Sequence, residues 1–194
     1  RPDTKSEVSM SDITKALSGV AVIAVIMLAP SISDRLNEEA ASYVNDSDSA
    51  HDGLPETWVN SQALCVLFPP EAAHPNFSSG VTMIGFDGST VGVNMDYNGT
   101  GACVGGFSGF ESGKDLMDSA VNASSPDLSY NSTEFSFGLQ IDSIGGIEPC
   151  DAYPCTDSSG AYWSLYHNGG YSMVGISDMI LSEGDVVLWK IETW

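Results

Sequence analysis

Residues 16–30, ALSGVAVIAVIMLAP, pass without a single charge in a chain of 194 residues whose formal net charge is −20. A solitary membrane-spanning helix needs about 20 apolar residues, and shorter runs belong to buried helices or to signal peptides. Asp3, Glu7 and Asp12 precede this run and spoil the basic flank that a signal peptide requires. Beyond it, Ile32, Leu36, Ala40 and Tyr43 recur at three- and four-residue steps, the spacing of one helical face. The pattern predicts one long helix over 10–44, bent at Pro30, where a backbone donor is lost and the ring crowds the preceding turn. Ala16, Gly19, Ala21, Ala24 and Ala29 are small enough to let neighbouring helices approach closely. The expected assembly face is Leu17, Val20, Ile23, Ala24, Ile26, Met27, Ile32 and Leu36. The β-branched content of VAVIAVI permits a rival, an extended strand donated to a neighbouring subunit. Continuity with the helical spacing after Pro30 favours the helix.

The charge balance narrows the partners. Six Lys and Arg stand against 26 Asp and Glu. Neutralising phosphates takes Lys and Arg, so nucleic acid and anionic lipid surfaces are excluded as partners. NDSDSAHDG, residues 45–53, reads as an acidic hinge. Its aspartates do not match a calcium loop: counted from Asp46, the fifth and twelfth positions are Ala50 and Thr57. The chain divides into a helix at 1–44, a linker at 45–54 and a head at 55–194.

Export is expected from two features together. Five N-x-S/T acceptors lie in polar contexts, at Asn45, Asn76, Asn98, Asn122 and Asn131, which makes an extracellular or cell-surface glycoprotein with N-linked glycans. Four cysteines then favour disulfides, for which three connectivities exist. Cys150 and Cys155 bracket the short loop DAYP and are expected to pair locally, leaving Cys65 with Cys103. His51, His74 and His167 are scattered, and the cysteines lack C-x-x-C spacing, so neither metal nor cofactor is expected.

The head reads as mostly strand. ALCVLF at 63–68 is a short apolar run, and VTMIGF at 81–86 and TVGVNMDY at 90–97 flank Asp87-Gly88, a tight-turn pair. SGKDLMDSAV at 112–121 is the one short helix expected there, with Ser112 as its cap. EFSFGLQIDSIGG alternates Phe135, Phe137, Leu139 and Ile141 with a period of two, as one strand. AYWSLYHNGGYSMV places two strands around Asn168-Gly169-Gly170, and VVLWKIETW is the last strand. GGFSGF at 105–110 lacks the second glycine of a nucleophile elbow and reads as a glycine-rich loop. Glu183 and Asp185 are explained by a turn. No nucleotide-binding or zinc-protease pattern occurs, and no catalytic residue is expected.

FGLQIDSIGG (137–146) and YWSLYHNGGYSMVGISDMILSEGDVVLWKIE (162–192) resemble the transcobalamin-like C-terminal domain, a small β-grasp-like module of exported proteins. The resemblance implies a mostly-β, β-grasp-like head with one short helix; with the long N-terminal hydrophobic and amphipathic helix read from the spacing, the expected class is α+β. In transcobalamins the module closes over cobalamin beneath a helical barrel that has no counterpart here. A long apolar helix bearing a glycosylated β head is also similar to type IV and archaeal pilins, and KALS (15–18) resembles an archaeal prepilin cleavage site. That likeness implies a structural subunit of a homopolymeric surface filament, with the chain itself as partner and passage through a membrane before assembly. The alternative is a single-pass, surface-anchored module that binds a small molecule.

Overall fold

Cys65 and Cys103 face each other on neighbouring strands at the centre of a seven-stranded sheet. The computed structural model describes residues 50–97, 99–136 and 138–194. They lie within one unit, Asp46–Trp194. The strands are β1 (Gln62–Phe68), β2 (Val81–Gly85), β3 (Thr90–Asn94), β4 (Thr100–Phe107), β5 (Tyr130–Phe135), β6 (Gly138–Ile144), β7 (Ala161–His167), β8 (Gly170–Tyr171) and β9 (Val186–Thr193). Helix α1 spans Gly113–Ala123 and helix α2 spans Pro149–Ala152. The large sheet runs β3-β2-β4-β1-β9-β7-β8, and β5 and β6 form a separate two-stranded sheet. Two neighbours in the large sheet are parallel, β1 with β9 and β2 with β4; the other pairs are antiparallel.

Alternation along each strand sorts the side chains into two layers. Leu64, Val66 and Phe68 of β1, Val104 of β4 and Val187, Trp189 and Ile191 of β9 enter the main core with Leu116, Met117 and Ala120 of α1. Ser112 accepts a hydrogen bond from the Asp115 amide and so starts α1 where the sequence places it. The opposite face holds Ala63, Cys65, Met83, Cys103 and Val186 under Trp58. The Cys65–Cys103 bridge locks β1 to β4 across this second layer, with Cα atoms 4.0 Å apart. Trp58 explains a glycine in β4. A methyl carbon at Gly105 would fall 2.4 Å from the indole, so only glycine lets the ring lie flat on the strand.

The α+β expectation is corrected. The described residues are mostly β-sheet, with short α-helices of 11 and 4 residues and two single-turn 3-10 helices, Glu56–Trp58 and Pro70–Ala72. The helix expected over 10–44, with Leu17, Val20, Ile23, Ala24, Ile26, Met27, Ile32 and Leu36, lies outside the described residues. The head also holds a second helix, α2, where one was expected. Glu148 and Asp151 cap it reciprocally around Pro149 at its first turn. Two strand readings change as well. The glycine-rich stretch read as a loop begins inside β4, because facing strands and Trp58 cover backbone that local sequence leaves bare. The segment read as a single strand through Phe135 folds back as the β5–β6 hairpin, with Gly138 at φ 133° where β6 begins. Phe135 therefore ends β5 and is exposed rather than inward.

Candidate functional site

A cleft of about 730 Å³ opens between β6 and β7 and is closed on a third side by the loop 172–176. The residue types at its wall follow from β7. The alternation sends Trp163 and Leu165 of β7 into the core layer, where Trp163 meets Phe68 edge-on at 5.9 Å. The Trp163 indole N–H donates to the Ile147 carbonyl at 3.3 Å, which ties β7 to the segment following β6. Trp189, next to β7 on β9, lines the same cleft. It is only 4% exposed, and its indole N–H has no hydrogen-bond partner among the described residues. Buried donors without partners are rare in folded proteins, which sets this indole apart from the other tryptophans of the cleft.

The rim carries exposed apolar groups. Trp194 is 69% exposed, and Met173 is 89% exposed. Trp194 is nonetheless held: its amide and carbonyl pair with those of Gly160, and its indole lies against the Gly160 Cα. The loop bearing Met173 is fastened at Ser172, whose amide donates to the Leu165 carbonyl and whose hydroxyl donates to the Val174 carbonyl. Tyr171 stands edge-on to Tyr166 at 5.7 Å. On that face Lys190 Nζ sits 4.3 Å over the Tyr166 ring, and the Tyr166 hydroxyl donates to Glu192 at 2.6 Å. That hydrogen bond is the main influence holding the Glu192 carboxyl below its ordinary value. Among the described residues, Asp142 and Glu148 are the charged residues of the cleft, and no Lys, Arg or His lines it.

A second concavity, about 470 Å³, lies around His51, Glu183 and Asp185. Its polar groups are engaged in structure. Asp185 accepts from Asn168 Nδ2 at 2.7 Å, from the Ser182 amide at 2.7 Å and from His167 Nε2 at 2.9 Å. Burial opposes its charge, but these donors outweigh it and hold the carboxyl below its ordinary value. Asp185 thereby ties the Asn168-Gly169 turn, at φ 48° and 79°, to the start of β9. Glu183 accepts from the Gly109 amide, and His51 Nε2 donates to the Gly184 carbonyl. Among the described residues no group of three or more His, Cys, Asp or Glu could hold a metal ion, and no helix is long and apolar enough to cross a membrane.

The disulfides are Cys65–Cys103 and Cys150–Cys155. Both suit an oxidising compartment. Asn76, Asn122 and Asn131 are exposed, whereas Asn45 and Asn98 lie outside the described residues. The sequence reading treated Tyr162, Trp163, Trp189 and Trp194 as a core or its edge; the fold divides them, burying Trp163 and Trp189 and leaving Trp194 exposed at the rim. Met173, Tyr171 and the open edge of β7 went unnoticed, and period-two alternation carries no signal for which strand edge lacks a neighbour.

Residues 115–193, less than half of the chain, match a family described as a domain of unknown function, DUF4430. This span contains residues 137–192, which carry the transcobalamin-like resemblance. No curated protein is found to match the sequence. Two solved structures are similar at low scores. A candidate metal-binding protein from Ruminococcus gnavus ATCC 29149 aligns with a TM-score of 0.37 and 14% identity, over 58% of this chain and 92% of that one. Haptocorrin in complex with Cbi aligns with a TM-score of 0.36 and 16% identity, over 66% of this chain and 25% of haptocorrin. Likeness at this level carries no argument about what this chain does.

Proposed function

We propose that the β-rich head is an extracellular ligand-binding module and that the cleft between β6 and β7 is its binding site, with the apolar run 16–30 as its attachment. One observation carries this reading: a cleft of about 730 Å³ with aromatic walls and mixed polar and apolar lining includes a buried tryptophan, Trp189, whose N–H lacks a partner among the described residues. Ligand sites are concavities that set aromatic surface beside polar groups that fix orientation, and this cleft sets Tyr162, Trp163 and Trp194 beside Gln140, Asp142 and Glu148. The exposed Met173 and Trp194 give a ligand apolar surface to cover. Both disulfides fit a domain that works outside the reducing cytoplasm. The filament reading drew on residues that lie outside those described, and no feature of the head favours it.

The test is saturation-transfer NMR with a panel holding a corrinoid, oligosaccharides, aromatic amino acids and short peptides. Saturable binding by one class, lost in Trp194→Ala and in Met173→Asp, supports the reading. A panel that never binds, or binding indifferent to both substitutions, contradicts it.

A further inference from the structure

We infer that the cleft takes an extended polypeptide segment, which adds a strand to the open edge of β7; this rests on the cleft being the binding site. A sheet face presents every second residue of a strand, because side chains alternate. This cleft is instead lined by the consecutive residues 161–165 of β7 and 139–142 of β6. Within a strand, a consecutive run borders a cavity where the opening lies along the strand's edge, since there backbone and side chains alike meet it. Two edges therefore bound the cleft, β6 with β5 as its one strand neighbour among the described residues and β7 with β9 behind it.

The direction of the backbone groups follows from the ladder. Gly160 and Trp194 exchange both of their backbone hydrogen bonds, and the Asn168 amide donates to the Val186 carbonyl. Even-numbered residues of β7 thus aim at β9 in this antiparallel pair, and odd-numbered ones aim away. Strand β8 is two residues long and pairs only with Tyr166 and His167. The Leu165 carbonyl is taken by Ser172. Ala161 and Trp163 turn N–H and C=O toward the cleft, and among the described residues nothing bonds them there. Proteins usually guard such an edge with lysine, proline or a covering loop. Residues 161–165 contain no charge and no proline.

Length and charge specify the occupant. The stretch 161–165 is about 17 Å long at a strand's rise, enough for a segment of about five residues. Asp142 and Glu148 lie in the cleft with no cation beside them among the described residues, so the segment should carry Lys or Arg among apolar residues. A flat small molecule would cover the aromatic wall but leave the ladder groups of Ala161 and Trp163 unused. Strand addition uses both the ladder groups and the side-chain wall.

The experiment pans a phage-displayed random heptapeptide library on the immobilised full chain and then synthesises the selected peptides in two forms, N-methylated at odd or at even positions. The expected result is a basic, β-branched selection in which one methylation pattern is tolerated and the other lowers affinity by about tenfold or more, since a ladder uses every second amide. Ala161→Pro, which removes one cleft-facing N–H, should lower affinity in the same way with circular dichroism unchanged. Equal tolerance of both patterns overturns the inference. So does failure to select peptides while the corrinoid or oligosaccharide binds at Trp194, an outcome that leaves the cleft itself standing. If neither peptide nor small molecule binds there, both readings fall.

Discussion

Trp194 lies across Gly160: a methyl carbon at position 160 would fall 2.6 Å from the indole, and the two residues exchange backbone hydrogen bonds. The pairing fixes an otherwise exposed aromatic ring at the rim of the cleft. Gly160→Ala should push the ring aside while the sheet persists. The expected outcome is a shifted Trp194 indole resonance, near-unchanged thermal stability and weakened ligand binding. An unshifted resonance would mean that the ring is not seated on Gly160.

The two disulfides should differ in worth. Cys65–Cys103 closes a span of 38 residues and Cys150–Cys155 one of 5. Loop-closure entropy puts the first at about 4 kcal/mol and the second at about 2 kcal/mol. Cys65 and Cys103 are also buried beneath Trp58, so replacing them disturbs packing as well. Urea unfolding of the paired alanine variants checks the order; a larger loss for the Cys150/Cys155 pair would contradict it.

Mild acid should weaken the fold through His74. This ring is buried, stacks on Phe77 at 4.8 Å and accepts the Asn76 amide at Nδ1. Burial lowers its pKa from the ordinary 6.5, with Asp127 opposing. The unfolded chain therefore binds the proton more readily. The contribution of His74 is fully present above about 6.5 and is lost as pH falls from there through the folded value. Melting temperature should fall from pH 7.5 to pH 5, and His74→Gln should flatten that slope. An unchanged slope in the variant would rule out His74 as the cause.

A second acid step should come from Asp185, whose folded pKa lies below the ordinary 3.8. Its stabilisation is present above that value and disappears as pH falls through the folded one. Asp185→Asn keeps much of the shape but offers one acceptor oxygen where Asn168, Ser182 and His167 all donate. The variant should lose stability at neutral pH and show a smaller further loss below pH 4, read by thermal melts across the acid range.

Glycosylation is a separate proposal for the exposed acceptors. Asn76, Asn122 and Asn131 are open to solvent, and neither the Asn76 bond to Asp127 nor the Asn131 bond to Ser143 buries the side chain. In a host that attaches N-linked sugar, glycopeptides should be recovered at all three sites. Intact mass equal to the bare polypeptide would contradict this.

Local signals in the sequence marked local structure well. Ser112 before an apolar face indicates α1, and Asn168-Gly169 and Asp87-Gly88 indicate turns, because each depends on its own backbone and its neighbours. What stayed hidden depends on distant partners. The parallel pairing of β1 with β9 joins residues more than a hundred positions apart and leaves no periodic trace. Gly105 and Gly106 of β4 read as a loop until Trp58 and the facing strands are seen to need close approach. The tryptophans were legible as large apolar groups, but which of them would be buried and which would stand at a rim depends on β7, which among the described residues lacks a second neighbour along residues 161–165.

The central claim, that the cleft between β6 and β7 is where this head binds, is tested most directly by amide and indole chemical-shift mapping with the first ligand to emerge from the panel. The account predicts shifts concentrated at Ala161, Trp163, Met173 and the indoles of Trp189 and Trp194, all of which line the cleft. Shifts confined to His51, Glu183 and Asp185, at the second concavity, would contradict it.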